Sequence, residues 1–309
     1  MTRSAIGLAT LALLGAAGPL PGQGAAADPD IFLVTLDLRG RGTVVGAPAN
    51  ITARRGYDNQ PGFTADGRAI LYTSTREDAQ ADIWRYDIAG GRATRVTVTA
   101  PESEYSAAVI PGSQDIAMIR VERDSTQRLW RMPMARAGRK GELGRLAIPQ
   151  VKPAGYFAFA DSSTVVCFVL GRPNTLQVAH LTTGRVDTVA VNVGRSIHRI
   201  PGTRRISYVS KMYDEKWWLL SLDPDDGHVI PLTLMPKGVE DYAWLPDGRL
   251  IAGVGATLVV ADPTTDATWR QVADFSASGL RAITRLAVSA QGTHLAFVAE
   301  PGAPGPGPR

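Results

Sequence analysis

One pattern of about 45 residues accounts for most of this 309-residue chain. Its clearest copy, residues 60–99, contains four short runs of β-branched and aromatic residues separated by turn residues. The Asp66-Gly67 pair between the first two runs favours the positive φ angles of a tight hairpin, and Gly90-Gly91 marks another turn. This copy is therefore predicted to form four antiparallel strands. The first ends near residue 64, and the other three span 69–74, 82–88 and 94–99.

The same arrangement recurs five more times along the chain. Turn pairs equivalent to Asp66-Gly67 are Pro111-Gly112, Asp161-Ser162, Pro201-Gly202, Asp247-Gly248 and Gln291-Gly292. The first apolar residues of the second strands are Ile70, Ile116, Val166, Ile206, Ile251 and Leu295, at intervals of 46, 50, 40, 45 and 44 residues. Repeats of near-constant length with four short strands each are typical of a β-propeller.

The two ends of the repeat region complement each other. The sixth copy stops near residue 299 after two strands, while Asp30-Ile31-Phe32-Leu33 resembles Asp82-Ile83-Trp84-Arg85 and residues 43–52 fit an outer strand. Sharing one blade between the termini closes a ring and removes exposed sheet edges. A pair of stacked β-sandwiches would explain neither the fixed repeat length nor the half blade that is completed at the other end. The sequence predicts an all-β domain over residues 28–300, a six-bladed β-propeller with four-stranded antiparallel blades and N-terminal strands completing the last blade.

The flanking segments predict export and a free tail. Residues 1–27 combine Arg3, an apolar stretch over 5–17 and the small residues Ala25-Ala26-Ala27, the order of a secretory signal peptide. We expect a periplasmic or secreted protein after removal of this segment. Residues 301–309 are rich in proline and glycine and are predicted to be disordered. No apolar run reaches the roughly 18 residues of a membrane span, so membrane insertion is not expected.

Composition excludes several functional classes. The chain has 33 basic and 29 acidic residues, and its arginines are spread along the sequence, so we expect no nucleic-acid partner. Cys167 is the only cysteine, which excludes an internal disulfide and a cysteine-based zinc site. The sequence contains no nucleotide-binding fingerprint and no Gly-x-Ser-x-Gly elbow. We therefore expect no cofactor, no metal and a monomeric protein.

Several stretches resemble a known group of repeats. NITARRGYDNQPGFTADGRAILYTS, ADIWRYDIAGGRATRVTVTAPESEYS and VERDSTQRLWRM are similar to the TolB-like, WD40-like propeller repeats of exported bacterial proteins. The resemblance covers about residues 30–300. It implies a propeller fold and a scaffold that binds a protein or peptide of the cell envelope.

Candidate functional residues share one position in the repeat, just before each innermost strand. The loops there crowd the mouth of the central channel, and tyrosine offers rigid contact area with a hydroxyl group. Tyrosine and acid neighbours recur in three copies, with basic or imidazole groups in others. Including one residue from the loops after the second strands, the predicted partner-binding residues are Tyr57, Asp58, Asn59, Glu104, Tyr105, Arg120, Tyr156, Arg195, His198, Asp241, Tyr242 and Arg285.

Other interpretations of these residues stay open at this point. The polar groups could brace neighbouring blades, and Asp58, Glu104 and Asp241 could together hold calcium, which favours several oxygen ligands. The leading hypothesis is a non-enzymatic scaffold that binds a partner at the channel mouth. The alternative is a channel-centred, metal-assisted hydrolase or lyase. Trp84, Trp130 and Trp218 are expected to occupy equivalent third-strand positions and to pack between blades.

Overall fold

The computed structural model describes residues 29–40, 42–77 and 80–301. The predicted signal peptide, residues 1–27, lies outside the described residues, as do residues 302–309 of the predicted tail. Within the described ranges the regular structure is β-strand, apart from two short 3-10 turns at Met134–Arg136 and Ser276–Ser278. None of the helical segments described is long and apolar enough to cross a membrane.

The described strands form six sheets, which we number as blades 1 to 6. The chain begins with β1 (Asp30–Asp37), β2 (Val44–Val45) and β3 (Ala49–Asn50). Blade 1 follows with β4 (Asp58–Phe63), β5 (Ala69–Ser74), β6 (Asp82–Asp87) and β7 (Arg92–Arg95). Blade 2 contains β8 (Ser103–Val109), β9 (Asp115–Val121), β10 (Gln127–Pro133) and β11 (Arg145–Leu146).

The remaining blades repeat this antiparallel order. Blade 3 contains β12 (Ala154–Phe159), β13 (Thr164–Val169), β14 (Thr175–His180) and β15 (Val186–Val191). Blade 4 contains β16 (Val193–Arg199), β17 (Ile206–Ser210), β18 (Trp218–Leu222) and β19 (Val229–Leu234). Blade 5 contains β20 (Tyr242–Trp244), β21 (Leu250–Val254), β22 (Thr257–Asp262) and β23 (Asp266–Asp274), and β24 (Leu280–Val288) and β25 (His294–Pro301) begin blade 6.

The N-terminal strands complete blade 6, which confirms the predicted closure. Strand β25 pairs with β24 on one side and with β1 on the other, where Asp30 lies opposite Ala299. The outer strand differs from the single strand predicted over residues 43–52, because β2 and β3 are two short pieces that both pair with β1. Pro48 lies in the gap and has no backbone N–H to donate to a ladder.

Each neighbouring pair of blades shares one buried apolar cluster. Clusters join blades 1 and 2, 2 and 3, 3 and 4, 4 and 5, 5 and 6, and 6 and 1. The second strands supply much of this core, because β5 and β13 are buried along their whole length. The ring is therefore held together by apolar burial between blades, including the cluster at the closure that contains Ile31 and Ile70.

A polar brace is repeated where the sequence suggested equivalence. Thr97 Oγ1 donates to Asp82 Oδ1 over 3.1 Å and accepts from the backbone N–H of Ile83. In blade 6, Thr52 Oγ1 likewise donates to Asp30 Oδ1 over 3.0 Å and accepts from the N–H of Ile31. The similarity between residues 30–33 and 82–85 therefore reflects a shared hydrogen-bond arrangement.

The two ends of the ring differ in the loops that they carry. The innermost strands are β4, β8, β12, β16, β20 and β24. The mouth face is the end where these strands begin, and the hairpin face is the end where they turn into the second strands. At the hairpin face, Gly67 has a φ of 68° and its N–H donates to the carbonyl of Thr64, as the Asp-Gly signal predicted.

The predicted equivalence of three tryptophans is wrong for one of them. Trp84 lies opposite Tyr72 and Trp130 lies opposite Met118, two residues after the first apolar residue of each second strand. The matching position in blade 4 is Leu220, opposite Tyr208. Trp218 starts its strand two residues earlier and is exposed because it lies at the mouth face.

Candidate functional site

A cavity of about 960 Å³ occupies the central channel. It is lined by innermost strands and by several of the turns that follow them, so it lies towards the hairpin face. We call it the channel cavity. It brings together five of the predicted site residues: Tyr156, Arg195, His198, Asp241 and Arg285. The other predicted residues lie outside its lining.

Two of these side chains meet across the channel. The guanidinium carbon of Arg285, in blade 6, lies 4.8 Å from the ring centroid of Tyr156, in the opposite blade 3. Burial raises the pKa of Tyr57 to about 12. The neighbouring Tyr156 and Tyr105 raise this pKa further, whereas the charges of Arg285 and Arg195 lower it. These three tyrosines and two arginines form what we call the tyrosine–arginine layer.

Arg195 links blade 4 to blade 5 through a group of charges. Its guanidinium lies 3.0 Å from Glu240 Oε1 and 2.8 Å from Asp241 Oδ2, and its backbone N–H donates to Glu240 Oε2. Lys211 Nζ lies 2.6 Å from Glu240 Oε2 and 4.1 Å from the ring centroid of Trp217. Although burial opposes it, the neighbouring carboxylates raise the pKa of the Arg195 guanidinium. This part of the channel is therefore charged but internally paired.

His198 is a neutral imidazole at the cavity wall. Its Nε2 lies 3.0 Å from Ser196 Oγ, and its ring packs edge-on against Tyr242 at 4.9 Å. Burial lowers the pKa of His198 to about 4, although Asp241 opposes this shift. Tyr242 is buried and its hydroxyl bonds to Ser207 Oγ over 2.8 Å, so it supports the histidine from behind.

The predicted acids of blades 1 and 2 point into the protein instead of the channel. Asp58 is fully buried and its Oδ1 accepts from Arg54 over 2.7 Å. Glu104 is also fully buried, and its Oε1 accepts from Arg120 Nε over 2.8 Å and from a threonine hydroxyl. Arg120 stacks over Trp130 at 4.3 Å. These contacts are those of the bracing interpretation.

Asn59 has a local backbone role. Its Oδ1 accepts from the N–H of Gln60, and Gln60 has a φ of 57° within a bulge of β4. Gln60 Oε1 accepts from the hydroxyl of Thr73 and from the N–H of Ser106 in blade 2. Gln60 therefore bridges two blades at the cavity wall, a role that its sequence position alone did not indicate.

The described residues contain no group of three or more histidine, cysteine or acidic side chains arranged to hold a metal ion. Asp58, Glu104 and Asp241 thus do not form the calcium site that the sequence left open. Asp241 is the only carboxylate among the described residues that line the channel cavity, and it is engaged by Arg195. The arrangement offers guanidinium, phenol and imidazole groups, which suit recognition by hydrogen bonds and charge.

Some lining residues were missed by sequence analysis. Phe63, Val109 and Val288 line the cavity from blades 1, 2 and 6 while remaining half-buried. They lie at the ends of their innermost strands, not before the strand starts that were searched. They lie two or three residues before a turn pair, and this spacing is the sequence signal that could have identified them.

No protein-family model matches the chain, and no curated protein matches it either. Solved structures do resemble it. A TolB structure from Agrobacterium tumefaciens aligns with a TM-score of 0.68 and 13% identity, over 89% of this chain and 99% of that one. An oligogalacturonate lyase in complex with manganese aligns at 0.53 and 16%, over 82% and 79%. A chain of a nidogen/laminin complex aligns at 0.57 and 13%, over 88% and 100%. The protein therefore has the six-bladed β-propeller fold of TolB-like proteins.

Proposed function

We propose that this protein is an exported, non-enzymatic scaffold that binds a protein or peptide of the cell envelope at its channel mouth. The observation that carries the proposal is a group of exposed apolar side chains at the mouth face of blades 3 to 5. Soluble proteins expose such groups together mainly where they bind a partner. The group consists of Leu170, Val191, Met212, Tyr213, Trp218, Leu234 and Val254.

The strand order supports the common location of these side chains. Val191 ends β15, and Leu234 ends β19 opposite Trp218. Met212 lies close to blade 3, because the side chain of Asn192 contacts its sulfur at 3.9 Å. Tyr213 is 72% exposed, and tyrosine is a residue type that contributes strongly to interfaces. Aromatic, methionine and aliphatic side chains are thus exposed together at the mouth face of blades 3 to 5.

The predicted site residues divide into two roles under this proposal. Tyr57, Tyr105 and Tyr156 offer half-buried phenols to a partner, with Arg195 and Arg285 beside them. The buried residues Asp58, Glu104 and Arg120 act indirectly, because they hold the mouth loops in place. Asn59, His198, Asp241 and Tyr242 position those groups through the contacts described above.

Localisation and assembly state are part of the same proposal. The leader-like sequence of residues 1–27 supports export to the periplasm or beyond. The similarity to a TolB structure is consistent with an envelope setting. We propose a monomer, since the N-terminal strands supply the outer strands of blade 6 and no blade is left for a second copy to complete.

Photocrosslinking tests the proposal. A photoreactive amino acid replaces Tyr213 at the mouth face, and as a control it replaces Ile230, which is exposed on an outer strand. After irradiation with envelope extract of the source organism, one discrete crosslinked partner is expected at position 213 and none at 230. Adding the Tyr105→Ala change should abolish this product without a large loss of stability. An identical product at both positions, or none at 213, would overturn the proposal.

One observation favours an enzyme as the second candidate. Ser196 Oγ and His198 Nε2 lie within hydrogen-bond distance at the cavity wall, as a nucleophile and its base would. A pKa of about 4 makes this imidazole a weak base at neutral pH, which favours the scaffold. The hydrolase candidate predicts covalent labelling by a fluorophosphonate probe that Ser196→Ala abolishes. Absence of labelling would contradict a serine hydrolase.

A further inference from the structure

The channel cavity has two unlike walls. Blades 6, 1 and 2 present half-buried apolar side chains to it, namely Pro61, Phe63, Ala108, Val109, Ala287 and Val288. Blades 3 to 5 supply five of the six titratable side chains of the lining, namely Tyr156, Arg195, His198, Arg199 and Asp241, together with apolar residues such as Phe157 and Trp244. A ligand held between these walls needs one apolar side and one polar group.

The charge of the lining specifies the sign of that polar group. Three guanidiniums line the cavity, from Arg195, Arg199 and Arg285, against the single carboxylate of Asp241. Glu240 and Asp241 both engage Arg195, which leaves Arg285 and the exposed Arg199 as the lining arginines without an acidic partner among the described residues. Enclosed charge of one sign attracts a ligand of the opposite sign, because low-dielectric walls concentrate the field. The cavity therefore favours an anion.

Arg285 is the group best placed to receive it. Among the described residues no acidic side chain forms an ion pair with Arg285, whereas Arg195 is engaged by two carboxylates. Arg285 has a φ of 53° and lies in an irregular part of β24, a backbone conformation that costs free energy for a residue with a side chain. Its guanidinium is held over Tyr156, beside the lining of the cavity.

We propose that the channel cavity binds a small carboxylic acid with an apolar body, its carboxylate on Arg285 and its body against blades 6, 1 and 2. The volume of about 960 Å³ lies within the range of small-molecule sites. The apolar wall disfavours a sugar acid, whose hydroxyl groups would lose hydrogen bonds there. The apolar body lies towards the hairpin face, whereas the carboxylate shares Arg285 with the partner-binding residues proposed above, so binding of the small acid is measured without any partner protein.

Titration calorimetry with decanoate tests the proposal on the full chain without its leader. Decanol and decylamine have the same apolar body with a neutral or a positive head, and all three are used below their micelle concentrations. Decanoate is expected to bind at least about tenfold more tightly than decanol, the size of effect typical of a charge-assisted hydrogen bond. Equal affinities of decanoate and decanol, or no binding of decanoate, would overturn the proposal.

A matched pair of variants locates the carboxylate. Arg285→Gln should weaken decanoate binding about tenfold and leave decanol unchanged. Arg281→Gln removes the same charge from an exposed position of the same strand and should change neither affinity by more than about twofold. Equal effects of the two variants would mean a general charge effect and would contradict a site at Arg285.

A peptide arm tests the competing class of ligand. The acetylated peptide Ala-Val-Leu-Leu is measured with a free C-terminal carboxylate and as its amide. Under the proposal the free peptide binds more weakly than decanoate, because its backbone amides would lie against the apolar wall. A free peptide that binds more tightly than decanoate, with loss of affinity in the amide, would overturn the small-acid proposal and assign the cavity to a chain end.

Discussion

The two halves of the ring use different ion pairs to stabilise the starts of their innermost strands. In blades 1 and 2 the acids at the starts of innermost strands are fully buried and pair with arginines of the same region, as Glu104 does with Arg120. In blades 4 and 5 the half-exposed Arg195 reaches across the blade boundary to Glu240 and Asp241. A buried pair inside one blade fixes local structure, whereas a half-exposed network between blades remains open to a ligand.

The innermost strands show a second difference between the halves. Gln60, Ser106 and Arg285, in blades 1, 2 and 6, each have a positive φ at a strand irregularity next to the cavity. The described innermost strands of blades 3 to 5 contain no non-glycine residue of this kind. Backbone strain is thus concentrated opposite the polar wall. The comparison predicts distinct responses to substitution in the two halves.

The largest expected effect is loss of the buried pair in blade 2. Glu104→Ala should lower the free energy of unfolding by about 3–5 kcal/mol, because it leaves the Arg120 guanidinium buried without its carboxylate. Guanidinium denaturation of the wild type and variant measures the loss. Replacing both partners with apolar residues, Glu104→Leu with Arg120→Met, should restore much of the stability. A loss below about 1 kcal/mol would remove the distinction between the halves.

A smaller effect is expected between blades 4 and 5. Arg195→Gln should cost about 1–2 kcal/mol, because its side chain is 33% exposed and water replaces part of the interaction. The same denaturation measurement, in a double-mutant cycle with Glu240→Gln, isolates the coupling between the two side chains. A cost equal to that of Glu104→Ala would show that exposure does not distinguish the two networks.

The pH response should come from the polar half. An unfolded histidine titrates near pH 6.5, whereas His198 titrates at about 4 in the folded protein. The unfolded chain therefore takes up this proton first, and the stability contributed by the neutral imidazole is present above about pH 6.5 and lost as the pH falls towards 4. The stability difference between wild type and His198→Gln should shrink over this window.

Denaturation at several pH values measures that difference. His228→Gln, at an exposed position on an outer hairpin, is the matched control for removal of a histidine. Because His198 is only partly buried, the change is expected to be smaller than the effect of Glu104→Ala. A difference that stays constant from pH 7 to pH 4 would show that His198 titrates alike in the folded and unfolded states.

The propeller was predictable because its determinants are local and repeated. Hairpin signals such as Asp66-Gly67 recur at one spacing, and the resemblance of residues 30–33 to 82–85 identified the closing strand. The channel contacts are different, because they join residues from blades that are far apart in sequence. The Arg285–Tyr156 contact spans 129 positions along the chain and has no local pattern. Burial was equally hidden, so Glu104 and Tyr105 looked alike as mouth residues.

The smallest prediction compares two serines of innermost strands. Ser106, in blade 2, has a φ of 57°, and its buried hydroxyl has no hydrogen-bond partner in the described part of the chain. Glycine adopts this conformation freely and its N–H can still donate to Gln60, so Ser106→Gly should raise the free energy of unfolding by about 0.5 kcal/mol. Ser196, in blade 4, has no positive φ and its hydroxyl contacts His198, so Ser196→Gly should lower it by about 1 kcal/mol. Denaturant midpoints of the two variants give the comparison directly. Changes of the same sign would mean that backbone strain does not separate the two halves of the ring.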